Sequence, residues 1–176
     1  SVCAAMAQIV LFGKSALEQG DAFTLYEERD DGSPAALGVF TVETMESVGP
    51  NSEKIIAYDK VTYLDADVTE WFKTLDSWPY TLEELASMVC EQCGVTFGST
   101  QILNGDHPVQ KFSAQGITGR QLLQWIAQVA CSFCTADSAG VLRFGWYAGA
   151  EASYTPADYH QGGLQMAEYE TAPICR

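Results

Sequence analysis

WPYTLEELASMVCEQCGV, residues 78–95, predicts a helix in which both ends are specified. Thr81 and Glu84 have the spacing of a capping box, in which each side chain accepts a hydrogen bond from the other residue's backbone amide. Gly94 can adopt the left-handed conformation that ends a helix. The apolar stripe between these ends consists of Leu82, Leu85, Ala86, Val89 and Cys93. A stripe at this spacing is typical of a helix that packs against a core.

A second helix is predicted within GITGRQLLQWIAQVACSFCTADSAGVLRFGW, residues 116–146. Thr118 and Gln121 repeat the capping-box spacing. Only Gln121, Gln124 and Gln128 form a narrow polar strip, and most of the other helical positions are apolar. We therefore expect this helix to be largely buried.

Short apolar or alternating runs predict strands along the rest of the chain. These runs are residues 8–12, 22–27, 37–44, 54–58, 95–97, 131–136, 141–146 and 164–169. Turn-forming residues separate several of them, as in DDGSP at 30–34. The apolar residues in 61–79 show neither helical nor strand periodicity, and we expect this segment to be irregular with one helical turn. The pattern predicts an α+β fold, with an antiparallel sheet or partial barrel and a small inserted α/β domain that contains two main helices.

Composition limits the classes of partner. Apolar residues make up 47% of the 176 residues and charged residues only 18%, so a packed globular chain is expected. The 23 acidic and 9 basic residues give a net charge of -14. Basic residues occur singly, whereas nucleic-acid binding requires clustered cations that neutralise phosphates. The sequence therefore predicts no nucleic-acid binding.

No apolar stretch reaches the roughly 18 residues of a membrane-spanning helix, so membrane insertion is not expected. The opening SVCAAMAQIVLFG lacks the basic start of a signal peptide. Six cysteines in a chain of this length are too few for a disulfide scaffold, and a reducing compartment is predicted. The chain starts at Ser1 and stops in PICR, where an apolar pattern begins, so we expect it to be a piece of a longer polypeptide.

Two CxxC motifs, Cys90 with Cys93 and Cys131 with Cys134, are the strongest candidates for chemistry. Four thiolates could hold a structural zinc ion, and a disulfide or redox role is a further alternative. The favoured interpretation is that the cysteines are small buried apolar residues without a metal. The first pair lies inside the capped helix, with Cys93 on its apolar stripe, and the second spans a helix end and a strand.

The other candidate catalytic side chains are His107, His160, Asp65 with Asp67, and Glu83 with Glu84. The two histidines are predicted in exposed loops, and nothing in the sequence places either beside a reactive cysteine. Acid pairs carry little information in a chain with 23 acidic residues. No phosphate-binding glycine loop, HExxH or GxSxG motif occurs, so we expect no enzyme activity and no cofactor.

Trp146, Tyr147, Tyr154 and Tyr159 form an aromatic group near the C-terminus. Aromatic faces can stack on sugars, so a cell-wall carbohydrate-binding fragment is one alternative. Core packing and cross-strand pairs explain such residues more simply, and we favour that interpretation.

Four segments, taken in order, resemble one protein family. They are LGVFTVETMESVGPNSEKIIAYDKV (37–61), WPYTLEELASMVCEQCGV (78–95), ILNGDHPV (102–109) and GITGRQLLQWIAQVACSFCTADSAGVLRFGW (116–146). They resemble the tail-hub, or minor tail structural, proteins of bacteriophages and prophages of Gram-positive bacteria, which are similar to baseplate hubs. The terminal AEYETAPICR is similar to the start of the family's return strand.

The resemblance implies a β-rich hub-type domain made of residues 1–60 and 147–176, incomplete at both ends, with an inserted α/β domain at 61–146. It implies a structural component of the virion tail, assembled in the host cytoplasm, that acts without catalysis. The implied partners are other copies of the chain, as a trimer in the full-length protein, and neighbouring tail proteins. The alternatives are a zinc-stabilised binding module using the four cysteines and the carbohydrate-binding fragment.

Overall fold

Four antiparallel strands form the largest sheet of the computed structural model, which describes residues 2–98 and 102–146. The strands are β1 (Met6–Phe12), β2 (Ala22–Glu28), β3 (Pro34–Gly49) and β4 (Ser52–Asp59). Their order across the sheet is β1-β4-β3-β2, so β1 and β2 are the outer strands. Each was predicted, but β3 extends to Gly49 rather than ending near Thr44. A β-bulge between Val42 and Thr44 interrupts the alternation that the prediction relied on.

One face of this sheet carries its own apolar cluster. The buried members are Ala7, Phe40, Val42, Ile55 and Ala57. Leu17, from the segment between β1 and β2, packs against this cluster, as do partly buried side chains of the strands. The sheet therefore has a core of its own.

Asp59, at the end of β4, begins the helical part of the chain. Its Oδ1 accepts a hydrogen bond from the Val61 amide at 3.0 Å, which caps the 3₁₀ helix Lys60–Asp65. Its Oδ2 accepts one from the Ala5 amide at 2.9 Å, just before β1. Helix α1 (Thr69–Lys73) follows, so the segment predicted to be irregular contains two short helices.

The two long helices have the predicted caps. Helix α2 (Leu82–Gln92) begins at Thr81 and α3 (Gly119–Val129) at Thr118, and both capping boxes are formed. Helix α2 ends as predicted, with Gly94 in the left-handed conformation and a hydrogen bond from the Val95 amide to the Cys90 carbonyl. Both helix starts were therefore specified locally.

Helix α3 ends in the same way, but with Cys131 at the left-handed position (φ +49°). The Cys131 amide bonds the Gln128 carbonyl at 3.1 Å, and the Ser132 amide bonds the Ala127 carbonyl at 2.7 Å. This is a Schellman motif, whose left-handed position favours glycine because a Cβ atom is disfavoured there. Cys131 is therefore strained.

Cys131→Gly is expected to raise the free energy of unfolding by about 0.5–1 kcal/mol, because the left-handed penalty that it relieves exceeds the chain entropy that glycine adds. Cys131 is exposed, so the change removes no burial. Cys131→Ala is the matched control, since alanine keeps the Cβ atom and should bring no gain. Urea denaturation measures both, and equal effects of the two changes would contradict the strain.

Two small sheets complete the fold. β5 (Tyr80–Thr81) pairs with β6 (Pro108–Val109), and β7 (Phe133–Ala136) pairs with β8 (Leu142–Gly145) as the predicted hairpin. The strand predicted at 95–97 is reduced to a single bridge between Phe97 and Leu142. The strand predicted at 164–169 lies outside the described residues.

The main core lies among the helices and the β7–β8 hairpin. Its largest fully buried side chains include Leu64, Leu82, Leu123, Leu142 and Cys90. The mixed composition confirms the predicted α+β class, with an antiparallel four-stranded sheet. No helix within the described residues is both long and apolar enough to span a membrane.

The predicted division into two domains stays a prediction. Ser1–Trp146 forms one compact unit. Within this unit, the apolar cluster of the four-stranded sheet and the main core lie on different elements. Residues 147–176, assigned to the hub-type domain together with residues 1–60, lie outside the described residues.

Candidate functional site

The four cysteines of the CxxC motifs do not share one environment. Cys90 and Cys134 are fully buried in the main core, Cys93 is half-buried, and Cys131 is exposed. Cys93 packs against the main core from the predicted stripe of α2 as a partly buried side chain, and Cys90, which the predicted stripe left out, is fully buried. Helix α2 ends at Gln92, so Cys93 occupies the C-cap position at the margin of the core.

The buried thiols are poor ligands and nucleophiles. Burial, with a smaller contribution from the neighbouring Cys134 and Cys93, raises the pKa of Cys90 to about 12. Burial also raises the pKa of Cys134 to about 12. Metal binding and nucleophilic attack both need the thiolate, which is scarce at neutral pH for such groups.

No group of three or more His, Cys, Asp or Glu side chains in residues 2–98 and 102–146 is arranged to hold a metal ion. The zinc-stabilised alternative, which used Cys90, Cys93, Cys131 and Cys134, thus gains no support from the geometry. The described cysteines are free of disulfides. Cys90 and Cys134 fill space in the core as small apolar side chains.

The native protein is expected to react with iodoacetamide at Cys131 and Cys3 much faster than at Cys90 and Cys134. The first two are exposed, whereas the second two are buried and their pKa is raised to about 12 by that burial. Peptide mass spectrometry after a short exposure at pH 8 assigns each site. In the control, the protein is unfolded in urea, and the four cysteines should then be labelled at similar rates. Equal native labelling of Cys90 and Cys131 would contradict the placement.

Three of the four side chains in the predicted acidic pairs have structural partners. Arg120 pairs with Asp65 through Nε to Oδ1 at 2.6 Å and Nη2 to Oδ2 at 2.9 Å. Asp67 accepts a hydrogen bond from the Thr69 amide at 2.7 Å, and bonding to Thr69 lowers the pKa of Asp67. Glu84 belongs to the α2 capping box. These carboxylates stabilise helix starts and a junction between elements.

Arg120 was not identified from the sequence. Beyond Asp65, its Nη1 donates to the Val2 carbonyl at 3.1 Å and its Nη2 to the Val61 carbonyl at 3.2 Å. One guanidinium therefore connects the N-terminal segment, the 3₁₀ helix and α3. A single arginine in an apolar helix carries no sequence signal for partners that lie more than 50 residues away.

His107 lies beside an open cavity of about 430 Å³ whose lining includes Asn104, Asp106 and Val129 but no cysteine. His160, Tyr147, Tyr154 and Tyr159 lie outside the described residues. Of the predicted aromatic group, the structure describes only Trp146, which is 61% exposed.

Trp146 lines an open cleft of about 500 Å³ together with Glu83, Asn104, Asp106 and Phe144. His107 is not part of this lining. Aromatic and carboxylate side chains of this kind can bind a ligand.

An apolar groove lies between α2 and α3. It holds about 210 Å³ and is lined almost wholly by apolar atoms. Its lining residues are Leu82, Leu85, Val89, Val109, Phe112, Leu122, Trp125, Ile126 and Val129. We call this feature the α2–α3 groove.

Phe112 closes one side of the α2–α3 groove. Its ring lies 4.9 Å from that of Phe72, 6.0 Å from Trp125 and 6.1 Å from Trp78, measured between centroids. Phe112 stands alone in the polar run QKFSAQG, residues 110–116, so no periodic signal marked it. The arrangement offers a surface for binding an apolar group.

Comparisons with known proteins place the fold. No protein-family model and no curated protein matches the chain. The 43 kDa tail protein of prophage MuSo2 from Shewanella oneidensis is similar over 80% of this chain and 46% of its own, with a TM-score of 0.55 and 19% identity. Prophage tail protein gp18 from Listeria monocytogenes EGD-e is similar over 80% of this chain and 40% of its own, with a TM-score of 0.51 and 14% identity.

At these identities the likeness establishes a shared fold. The chain spans less than half the length of either solved structure. Each of these solved structures is longer than this chain, and this chain matches one part of it.

Proposed function

We propose that the chain is a structural component of a phage or prophage tail, in the tail-hub or tail-tip region, and that it acts by assembly without catalysis or a cofactor. The observation that carries the proposal is the fold shared over 80% of the chain with two prophage tail proteins. The predicted Gram-positive host belongs to the same proposal.

The chemistry of the described residues supports a structural role. The buried cysteines are protonated at neutral pH because burial raises their pKa to about 12. Asp65, Asp67 and Glu84 are engaged in hydrogen bonds that stabilise the fold. Several large apolar side chains are also exposed, among them Phe12, Trp125 and Val129, and exposed apolar surface is suited to binding other proteins.

The proposed partners are other copies of the chain, as a trimer in the full-length protein, and neighbouring tail proteins in the virion tail, which is assembled in the host cytoplasm. The net charge of -14 opposes binding to DNA and so suits a protein that assembles in its presence.

We propose that residues 1–60 and 147–176 form the hub-type domain and that residues 61–146 are an insertion. Support comes from the boundary at Asp59 and Lys60, where the sheet ends and the 3₁₀ helix begins. In the sequence, the apolar cluster of the four-stranded sheet lies before this boundary, and nearly all residues of the main core lie after it.

Deletion of the coding sequence from the phage or prophage tests the function. We expect electron microscopy of induced particles to show absent or incomplete tails, with normal tails restored by a wild-type copy in trans. Infectious particles with tails of normal form, obtained without the protein, would refute the proposal.

A further inference from the structure

The two outer strands of the four-stranded sheet differ in how well their edges are protected. β2 ends in Glu27 and Glu28, and a β-bulge between Leu25 and Tyr26 interrupts its register. Charged residues and bulges on an outer strand oppose pairing with a further strand. β1 has the sequence MAQIVLF, without a charged residue or a proline, and it pairs with β4 over all seven residues in one regular register. The edge of β1 therefore lacks the protection that β2 has.

The pairing of β1 with β4 determines which backbone groups of β1 face away from the sheet. The Asp59 amide donates to the Ala5 carbonyl at 3.1 Å, and the Gly13 amide donates to the Asn51 carbonyl at 2.7 Å. Residues that bond the neighbouring strand alternate along an antiparallel pair with residues that do not. The odd-numbered residues of β1 thus bond β4. Outward-facing amides and carbonyls belong to the even-numbered residues, which are Met6, Gln8, Val10 and Phe12.

The side chains of these four even-numbered residues share one face of the sheet and are exposed. Phe12 is 94% exposed, Met6 56% and Val10 49%. No strand formed by residues 2–98 and 102–146 pairs with the outer edge of β1. A row of apolar side chains beside an open strand edge is costly to leave in water and suits a partner strand that covers both.

We propose that β1 of one copy of the chain pairs antiparallel with β1 of a second copy, so that the two sheets become continuous. The two-fold axis passes through Ile9. In this register Met6 of each copy lies opposite Phe12 of the other, and Gln8 lies opposite Val10. Both copies use the same surface, which makes the contact isologous.

This register uses all of the outward-facing backbone groups of β1. Each of the four even-numbered residues lies opposite an even-numbered residue of the other copy, and the four pairs exchange about eight backbone hydrogen bonds. A shift of the register by two residues leaves one outward-facing residue of each strand without a partner in β1. The register centred on Ile9 is therefore the most favourable one.

The sequence of β1 is complementary to itself, which favours a second copy as the partner. Each chain carries a net charge of -14, but no charged side chain lies on β1, so the paired strands bring no like charges together. The exposed Phe12 ring meets the Met6 thioether, a favourable contact. On the other face Ile9 meets its own copy and Ala7 meets Leu11, which extends the apolar cluster of the sheet.

The inference rests on the proposed assembly role and names one contact between copies of the chain. An isologous contact joins two copies and is complete with two. It is therefore distinct from the contacts of the proposed trimer.

Val10→Pro tests the contact in sedimentation velocity experiments. Proline lacks the amide hydrogen and is tolerated where the amide faces away from the sheet, so β1 should still pair with β4. The dimer loses two hydrogen bonds and must accommodate two proline rings near its axis. We expect the wild-type chain to dimerise and Val10→Pro to dimerise roughly tenfold or more weakly. Circular dichroism during urea denaturation checks that the variant is folded.

Charged variants that keep every backbone amide test whether β1 faces β1. The acidic variant combines Gln8→Glu with Val10→Glu, and the basic variant combines Gln8→Lys with Val10→Lys. Like charges directly opposite each other oppose strand pairing, so each variant alone should be monomeric where the wild type dimerises. Opposite charges meet in an equimolar mixture, and we expect a dimer with one chain of each kind by native mass spectrometry.

The matched control places the same charges on the other outer strand. Thr24 and Tyr26 on β2 are exposed, as Gln8 and Val10 are on β1. Thr24→Lys combined with Tyr26→Lys should therefore dimerise as the wild type does.

A wild-type chain that stays monomeric at high concentration would overturn the two-fold contact, including the case in which β1 pairs with a strand of another protein. Wild-type dimerisation of a folded Val10→Pro chain would also overturn it. A mixture of the acidic and basic variants that forms no dimer would do the same, because it excludes β1 facing β1. Each outcome is separable from the proposed function, which is tested on particles rather than on the purified chain.

Discussion

Leu123→Ala is expected to lower the free energy of unfolding by about 3–4 kcal/mol, because it opens a cavity that the surrounding core cannot fill. Leu123 is fully buried in α3, with 0% exposure. It belongs to the main core, where α2, α3 and the β7–β8 hairpin meet. Urea denaturation monitored by tryptophan fluorescence measures the change.

Leu103→Ala is the matched control for this prediction. Leu103 carries the same side chain but is 53% exposed, so its truncation should cost less than about 0.5 kcal/mol. A loss at Leu123 no larger than the loss at Leu103 would show that α3 does not pack as described.

Asp59→Ala is expected to cost about 2–3 kcal/mol, because it leaves two backbone amides without their acceptor. The carboxylate is 5% exposed and accepts hydrogen bonds from Ala5 at 2.9 Å and Val61 at 3.0 Å. The Val61 bond is buried, so this amide cannot turn to water instead. The change removes the link between β1, the end of β4 and the 3₁₀ helix.

The control for Asp59 is Asp21→Ala. Asp21 accepts one backbone hydrogen bond, from Glu18 at 2.8 Å, at an exposed site where water can replace it. We expect a loss of at most about 1 kcal/mol there. Hydrogen exchange gives a second measurement, since the Val61 amide should lose protection in Asp59→Ala. Equal destabilisation by the two changes would contradict a junction at Asp59.

The best-predicted elements were those with local signals. Thr81 and Thr118 begin helices because the partner of each cap lies three residues away in the same segment. The hairpin around residues 137–140 has the same property, since its turn and both strands are adjacent in sequence. Each of these signals consists of residues close together in the sequence, so it could be identified without knowledge of the tertiary structure.

Features that depend on distant partners could not be predicted. Arg120 bonds Asp65 and the Val2 carbonyl, which are 55 and 118 residues away. Asp59 accepts from Ala5 across 54 residues. Phe112 joins an aromatic cluster with partners on other elements. Neither periodicity nor spacing encodes these contacts, because they exist only once the chain has folded.

The cysteines show an intermediate case. The sequence placed Cys93 on the α2 stripe, and the structure packs Cys93 against the main core as a partly buried side chain while burying Cys90 fully. The two residues are three positions apart on one side of the helix, and Cys93 lies at the margin of the core because α2 ends at Gln92. The interpretation of the buried pair as packing residues agrees with their full burial and raised pKa.

We propose that the chain is a component of a phage or prophage tail. Immunogold electron microscopy with an antibody against the chain, applied to purified particles, tests this claim most directly. We predict gold label at the distal end of the tail. Particles whose tails carry no label and contain no peptide of the chain by mass spectrometry, while the protein is present in the host lysate, would contradict it.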